Sequence, residues 1–200
     1  QIYEVYEKDI LSKALEAVQN AIRLDPNYAM AYRSKAEIEY YTGNFDQMLK
    51  DGEKALELAP NDVQIIGGIA YITGLSGWGC HSSDELKKKY NIDDKACYRL
   101  KRGHELGVLG AKLDKGNSVA GNNFGQVAFY QDSQNWEKVL EVMEDTPVPF
   151  LWWWHHYMGC ANQMNQCAVF NHNINSVTGI VTIYLYYKIL TFRCSKHIYL

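Results

Sequence analysis

Two stretches decide how this chain is read: NAIRLDPN at 20–27 and KALELAPN at 54–61. They share an alanine, a leucine and a closing Pro-Asn in the same register, and Pro26 and Pro60 stand 34 residues apart. Before the first of these prolines, Leu11, Leu15, Val18 and Ile22 recur at steps of three and four, which predicts a helix that must stop before Pro26. A period of this length has room for two helices joined by a turn. Such a unit cannot bury its apolar face alone, so its repetition predicts an all-α fold, an α-solenoid of antiparallel helix pairs, whose usual role is to bind other proteins.

The segment Ala29 to Asp62 carries the clearest unit. Tyr32, Ala36, Gly43, Phe45, Ala55 and Pro60 fall in the order of aromatic, small, turn glycine, aromatic, small and closing proline. In that pattern the chain resembles the tetratricopeptide repeat family, which builds such helix pairs. Lys35, Met48 and Gly52 depart from the residues that the family prefers. More narrowly, the run from Ala21 to Tyr32, with a later unit closing in Thr146-Pro-Val-Pro149, resembles the repeat arrays attached to bacterial class III adenylate cyclases and transcriptional regulators. That likeness implies a regulatory piece of a larger protein, with a catalytic or DNA-binding domain upstream of Gln1.

Other units fit less regularly. Ile65, Ile66, Ile69, Ala70 and Ile72 predict an apolar helix starting at Val63, with Gly77-Trp78 in the turn register. Gly67, Gly68 and Gly74 weaken it, since an interior glycine costs about 1 kcal/mol of helix propensity, and a diverged unit or an insertion is expected there. Asn44 with Gln47, and Ser82 with Glu85, have capping-box spacing. A polar helix is expected up to Tyr90 and another from about Asp94 to Leu113, with Leu100, Leu106 and Leu109 as its apolar residues. The repeat pattern resumes from Asn122, where Gln134-Asn135-Trp136 suits a turn. The predicted repeat domain is therefore 1–166, with its best unit at 29–62, an irregular part at 74–121 and a resumed part at 122–166.

Composition excludes several functions. The chain has 200 residues, 47% of them hydrophobic, and a formal charge of -3. A core of ordinary size is possible. Its lysines and arginines are interleaved with acids, as in 84–102, so the counterion release that drives nucleic-acid binding has no basic patch to act through. Five cysteines, Cys80, Cys97, Cys160, Cys167 and Cys194, are odd in number and widely spaced. A disulfide framework is not expected, and a reducing, cytoplasmic setting is. The start at Gln1, without methionine or signal peptide, suggests a fragment.

Residues 147–200 contain three bases, Lys188, Arg193 and Lys196, and no acid. Val177 to Phe192 is rich in strand-favouring side chains. Residues 167–200 stay unassigned between an irregular cap or hairpin, a membrane segment and a shifted reading frame. The apolar run is interrupted by Lys188 and falls short of the ~20 residues needed to span a bilayer.

Chemistry is sparse. His155, His156, Cys160, Cys167 and His172 are residue types that suit zinc or thiol chemistry, and they define an alternative in which the protein is a metal- or thiol-dependent enzyme. Their spacing matches no familiar zinc module, so no cofactor is expected and the helix-core alternative is preferred. Cys80-His81 sets a thiol beside a base, but no third residue to orient the histidine is identifiable. The tetratricopeptide resemblance instead implies a concave groove lined by first helices, with Met30, Arg33, Glu37 and Tyr40 from one unit and Gln64, Gly67 and Tyr71 from the next. A protein or peptide is the implied partner. Glu37 would repel a terminal carboxylate, so a mixed polar and aromatic contact is expected.

Overall fold

A computed structural model of the chain describes residues 2–115 and 119–144. Among them every regular element is a helix: α1 (Ile2–Leu24), α2 (Ala29–Tyr41), α3 (Phe45–Leu58), α4 (Val63–Ser76), α5 (Asp84–Lys89), α6 (Ala96–Leu113), α7 (Ala120–Asp132) and α8 (Trp136–Glu144). The all-α expectation holds. The metal-like cluster at 155–172, the helix read from Leu151, the closing prolines Pro147 and Pro149, and the tail at 167–200 lie outside the described residues.

The helix ends follow local chemistry. After α1, Asp25 accepts the amide of Asn27 at 3.0 Å and Pro26 prevents continuation. Between α2 and α3 the chain turns at Gly43, whose φ of 75° lies in the left-handed region where a side chain would be strained. Asn44 precedes α3 without a side-chain cap, contrary to the capping-box expectation. Helix α4 begins at an effective cap, Asp62, whose carboxylate accepts the amides of Gln64 and Ile65. Ser83, one residue later than expected, caps α5 by accepting from Leu86. The difference is one of backbone geometry, because Ser83 is extended and its hydroxyl reaches the third following amide.

Helices α2 and α3 fold back on each other and bury Ala36, Met48, Ala55 and Leu56 against Ile65, Ile66 and Ile69 of α4. The unconventional Lys35 is satisfied here. Its ammonium reaches Asp51 of α3 at 2.8 Å, and Gln47 donates to the same carboxylate oxygen at 3.0 Å. Gly52 lets Ile69 approach α3, with only side-chain atoms near its missing Cβ.

Helices α4, α6 and α7 form a second block. Its glycines do not interrupt α4, which is continuous from Val63 to Ser76. They lie where backbones touch. A Cβ on Gly103 of α6 would strike the backbone of Gly74 and the carbonyl of Ala70, and one on Gly121 of α7 would strike the carbonyl of Gly67. The propensity lost within each helix is exchanged for close contact between helices. Helix α6 pairs with α4 after an excursion over residues 77–95 that contains α5. Of its expected apolar residues, Leu100 and Leu106 are buried, whereas Leu109 faces outward. Helix α8 closes against α7 through Val127, Val139 and Met143.

Candidate functional site

The residues expected to line a groove divide into two groups. Arg33, Glu37, Tyr40 and Tyr71 are all partly exposed and lie along the seam between α2 and α4. Arg33 pairs with Glu37 one turn away, donates to the sulfur of Met30 at 3.5 Å, and crosses to α4, where its guanidinium occupies the space that a side chain on Gly68 would need. Tyr71 packs edge-on against Phe124 of α7, ring centres 5.4 Å apart. Three helices thus contribute to one strip. Burial raises the pKa of both phenols, and neighbouring groups add to it: Tyr71 and Tyr41 around Tyr40, and Tyr41 and Glu37 around Tyr71. Both therefore remain neutral and keep a hydroxyl proton to donate.

The other group does not belong to the strip in the same way. Met30 is half-buried against the core, and Gln64 is exposed in the first turn of α4. Gly67 is a correction: it is buried against Asn122 of α7 and Val119, which precedes that helix, so it is packing surface and not lining. Its lack of a side chain serves the approach of α7.

One end of the strip opens into a cleft of about 390 Å³, lined by Tyr40, Tyr41, Phe45, Trp78, Tyr90 and Asp93 among others. Its floor is Arg99 of α6, which is only 2% exposed. A buried guanidinium demands compensation, and the fold supplies it on every side. Nε and Nη2 donate to the carbonyl of Ser76 at 3.1 and 2.8 Å, Nη1 and Nη2 donate to the two oxygens of Asp93 at 2.9 Å each, and Phe45 stacks with its ring centre 4.6 Å away. The hydrogen bonds from Arg99 hold the Asp93 carboxyl below its ordinary pKa, against the opposing effect of burial. The excursion 77–95 provides Trp78, Tyr90 and Asp93, so the wall of the cleft belongs to the segment that interrupts the α4–α6 pair.

The same excursion is anchored behind the cleft. Cys80 and Cys97 form a disulfide, their Cα atoms 4.9 Å apart, which corrects the expectation that the cysteines stay unpaired. Their separation of 17 residues concealed a turn that brings the excursion back to the start of α6. Asp132, at the end of α7 and with its side chain 4% exposed, accepts the amides of Gly79 and His81 and pairs with the Nδ1 of His81 at 2.6 Å. The partner that orients His81 therefore exists, 51 residues away, where no local spacing could disclose it. The sulfur of Cys80 is buried and oxidised, so the pair is not a thiol catalyst in this state. Elsewhere, His104 lies against Phe129 and Tyr130, and burial lowers its pKa despite Glu105 nearby.

No family model matches the chain, and no solved structure matches it. Among curated proteins, the U-box domain-containing protein 70 of Oryza sativa subsp. japonica is 26% identical over 106 residues, covering 50% of this chain and 13% of that protein. The similarity thus concerns a small part of that relative's length. No helix of the described residues is long and apolar enough to cross a membrane.

Proposed function

We propose that this chain is a tetratricopeptide-like α-solenoid that binds an extended peptide or a partner protein, as a cytoplasmic, non-enzymatic regulatory part of a larger protein. The observation that carries this is the strip where Arg33, Glu37 and Tyr40 of α2 meet Tyr71 of α4, which in turn packs on Phe124 of α7. In this proposal, α2/α3, α4/α6 and α7/α8 are successive pairs, and α2, α4 and α7 are the first helices that line the groove. Half-buried aromatic rings offer contact area at low entropy cost, and their hydroxyls together with the Arg33–Glu37 pair supply directional polar contacts. The aromatic cleft at the end of the strip receives an apolar side chain of the bound segment. Nothing in this depends on a metal or cofactor.

Selection of peptides from a random displayed library on the intact chain, followed by affinity measurement by fluorescence anisotropy, tests the proposal. Arg33→Glu and Tyr71→Ala are expected to weaken the selected peptides at least ~10-fold, a loss of about 1.4 kcal/mol. Equal affinity for the wild type and both variants, with helicity unchanged, would overturn the assignment of this face. The same variants serve for any peptide that the library yields.

A further inference from the structure

The anchor behind the cleft has a composition that hydrogen bonding alone does not require. Cys80, His81 and Asp132 place a sulfur, a ring nitrogen and a carboxylate oxygen within 4.8 Å of one another, and Cys97 adds a second sulfur through its bond to Cys80. Consecutive side chains seldom converge, yet here they do. Residues 77–83 are not helical, and Gly79 takes a φ of 85°, which turns the chain back toward Asp132. Three separate elements, the excursion, α6 and α7, supply the donors.

From this convergence we propose that the reduced protein holds a zinc ion between the thiolates of Cys80 and Cys97, the imidazole of His81 and the carboxylate of Asp132. Two sulfurs, one nitrogen and one oxygen form a four-ligand set that leaves no position for substrate, so the site is structural and not catalytic. Zinc–sulfur bonds of about 2.3 Å on a tetrahedron place the two sulfurs roughly 3.8 Å apart. The Cα atoms of the two cysteines are 4.9 Å apart, near enough for both sulfurs to reach one ion once the bond between them is reduced. His81 is 51% exposed at its side chain and free to open its contact with Asp132 by the fraction of an ångström that a shared metal needs. Asp132 keeps one oxygen on the Gly79 amide, which orients the carboxylate from outside the metal.

Disulfide and metal are alternatives, because each uses both sulfurs. A dithiol reductant attacks the Cys80–Cys97 bond by thiol–disulfide exchange and passes two electrons and two protons to the pair, leaving itself as a cyclic disulfide. Zinc then displaces the two thiol protons to solvent. In the reverse direction a small-molecule disulfide accepts the two electrons from the thiolates and two protons from solvent to leave as two thiols, the Cys80–Cys97 bond forms again and the ion is released. Either cross-link ties residues 77–95 to α6, so the wall of the cleft is held under oxidising and reducing conditions alike. The inference is independent of any peptide-binding role.

Cobalt(II), which gives thiolate charge-transfer and intense tetrahedral d–d absorption, is the probe, added anaerobically to the full chain with Cys160, Cys167 and Cys194 replaced by serine. Phosphine-reduced protein is expected to bind about one equivalent with both absorption features, to yield it to zinc, and to bind none when oxidised. Cys97→Ser should halve the charge-transfer intensity, while His81→Ala, checked for unchanged helicity by circular dichroism, should weaken binding at least ~10-fold. Absence of cobalt absorption in the reduced protein would overturn the site. So would binding that persists unchanged in Cys80→Ser or His81→Ala, since the ion would then sit elsewhere on the chain.

Discussion

The α2/α3 hairpin and the α4/α6/α7 block solve one packing problem by opposite means. In the hairpin, side chains separate the helices: Ala36, Met48, Ala55 and Leu56 interdigitate, and Lys35 with Asp51 closes the edge. In the block, glycines remove the side chains and backbones meet directly, Gly103 on Gly74 and Gly121 on Gly67. A side-chain interface yields locally when a group is added, because a rotamer can move. A backbone interface has nothing to move except the helix itself. The difference teaches that tolerance to substitution follows what lies opposite, not the residue type replaced.

Matched substitutions give the strongest test of that contrast. Gly103→Ala is expected to cost about 3 kcal/mol, the upper part of the range for overpacking. Gly52→Ala, opposite the Ile69 side chain, is expected to stay within about 1 kcal/mol of wild type, because gained helix propensity offsets the pressure on that side chain. Urea denaturation of both variants checks it, and similar losses in the two would break the comparison.

Next in size is the charged floor between hairpin and block. Asp93→Ala leaves Arg99 buried with the Ser76 carbonyl and the Phe45 ring, and is expected to cost about 2 kcal/mol, less than for a fully buried pair because Asp93 is 44% exposed. The sign with pH follows from the lowered carboxyl pKa. Folding favours the ionised form, so this contribution is complete above the ordinary value of 3.8 and is lost as pH falls through the lower folded value. Acid unfolding of Asp93→Ala should therefore show a shallower slope in that window than the wild type, measured by circular dichroism. The smallest effect is expected at Glu53, whose bidentate pair with Arg102 joins α3 to α6 at 2.8 and 2.9 Å on the surface. Glu53→Ala should cost about 0.5 kcal/mol and lose that effect at high salt, when its thermal midpoint is followed with added sodium chloride.

The sequence makes the two regions unequally legible for a physical reason. Around 29–62 the signals are local: Gly43 needs positive φ, Pro60 stops a helix, and Ala55 and Pro60 repeat Ala21 and Pro26 in register. Propensity and packing agree there. In 63–113 they disagree, since Gly67 and Gly74 weaken a helix locally and stabilise its contacts globally, and only the partner helix reveals which effect wins. For the candidate site, Arg33, Glu37, Tyr40 and Tyr71 could be placed by counting turns along two helices. Arg99, Asp93 and Asp132 could not, because their roles arise from an excursion of the chain that periodicity does not describe. The Cys80–Cys97 bond was hidden for the same reason.

Asp132 also imposes an order on events during synthesis. Helix pairs close through neighbours in sequence and can form as the chain emerges, whereas the carboxylate that holds Gly79 and His81 lies 53 and 51 residues further on. Contacts of such separation must await the later segment and add loop-closure entropy to the folding barrier. Residues 77–83 thus lack their final anchor until α7 has been made, and the cysteines within reach of one another before that moment meet solvent and other thiols first.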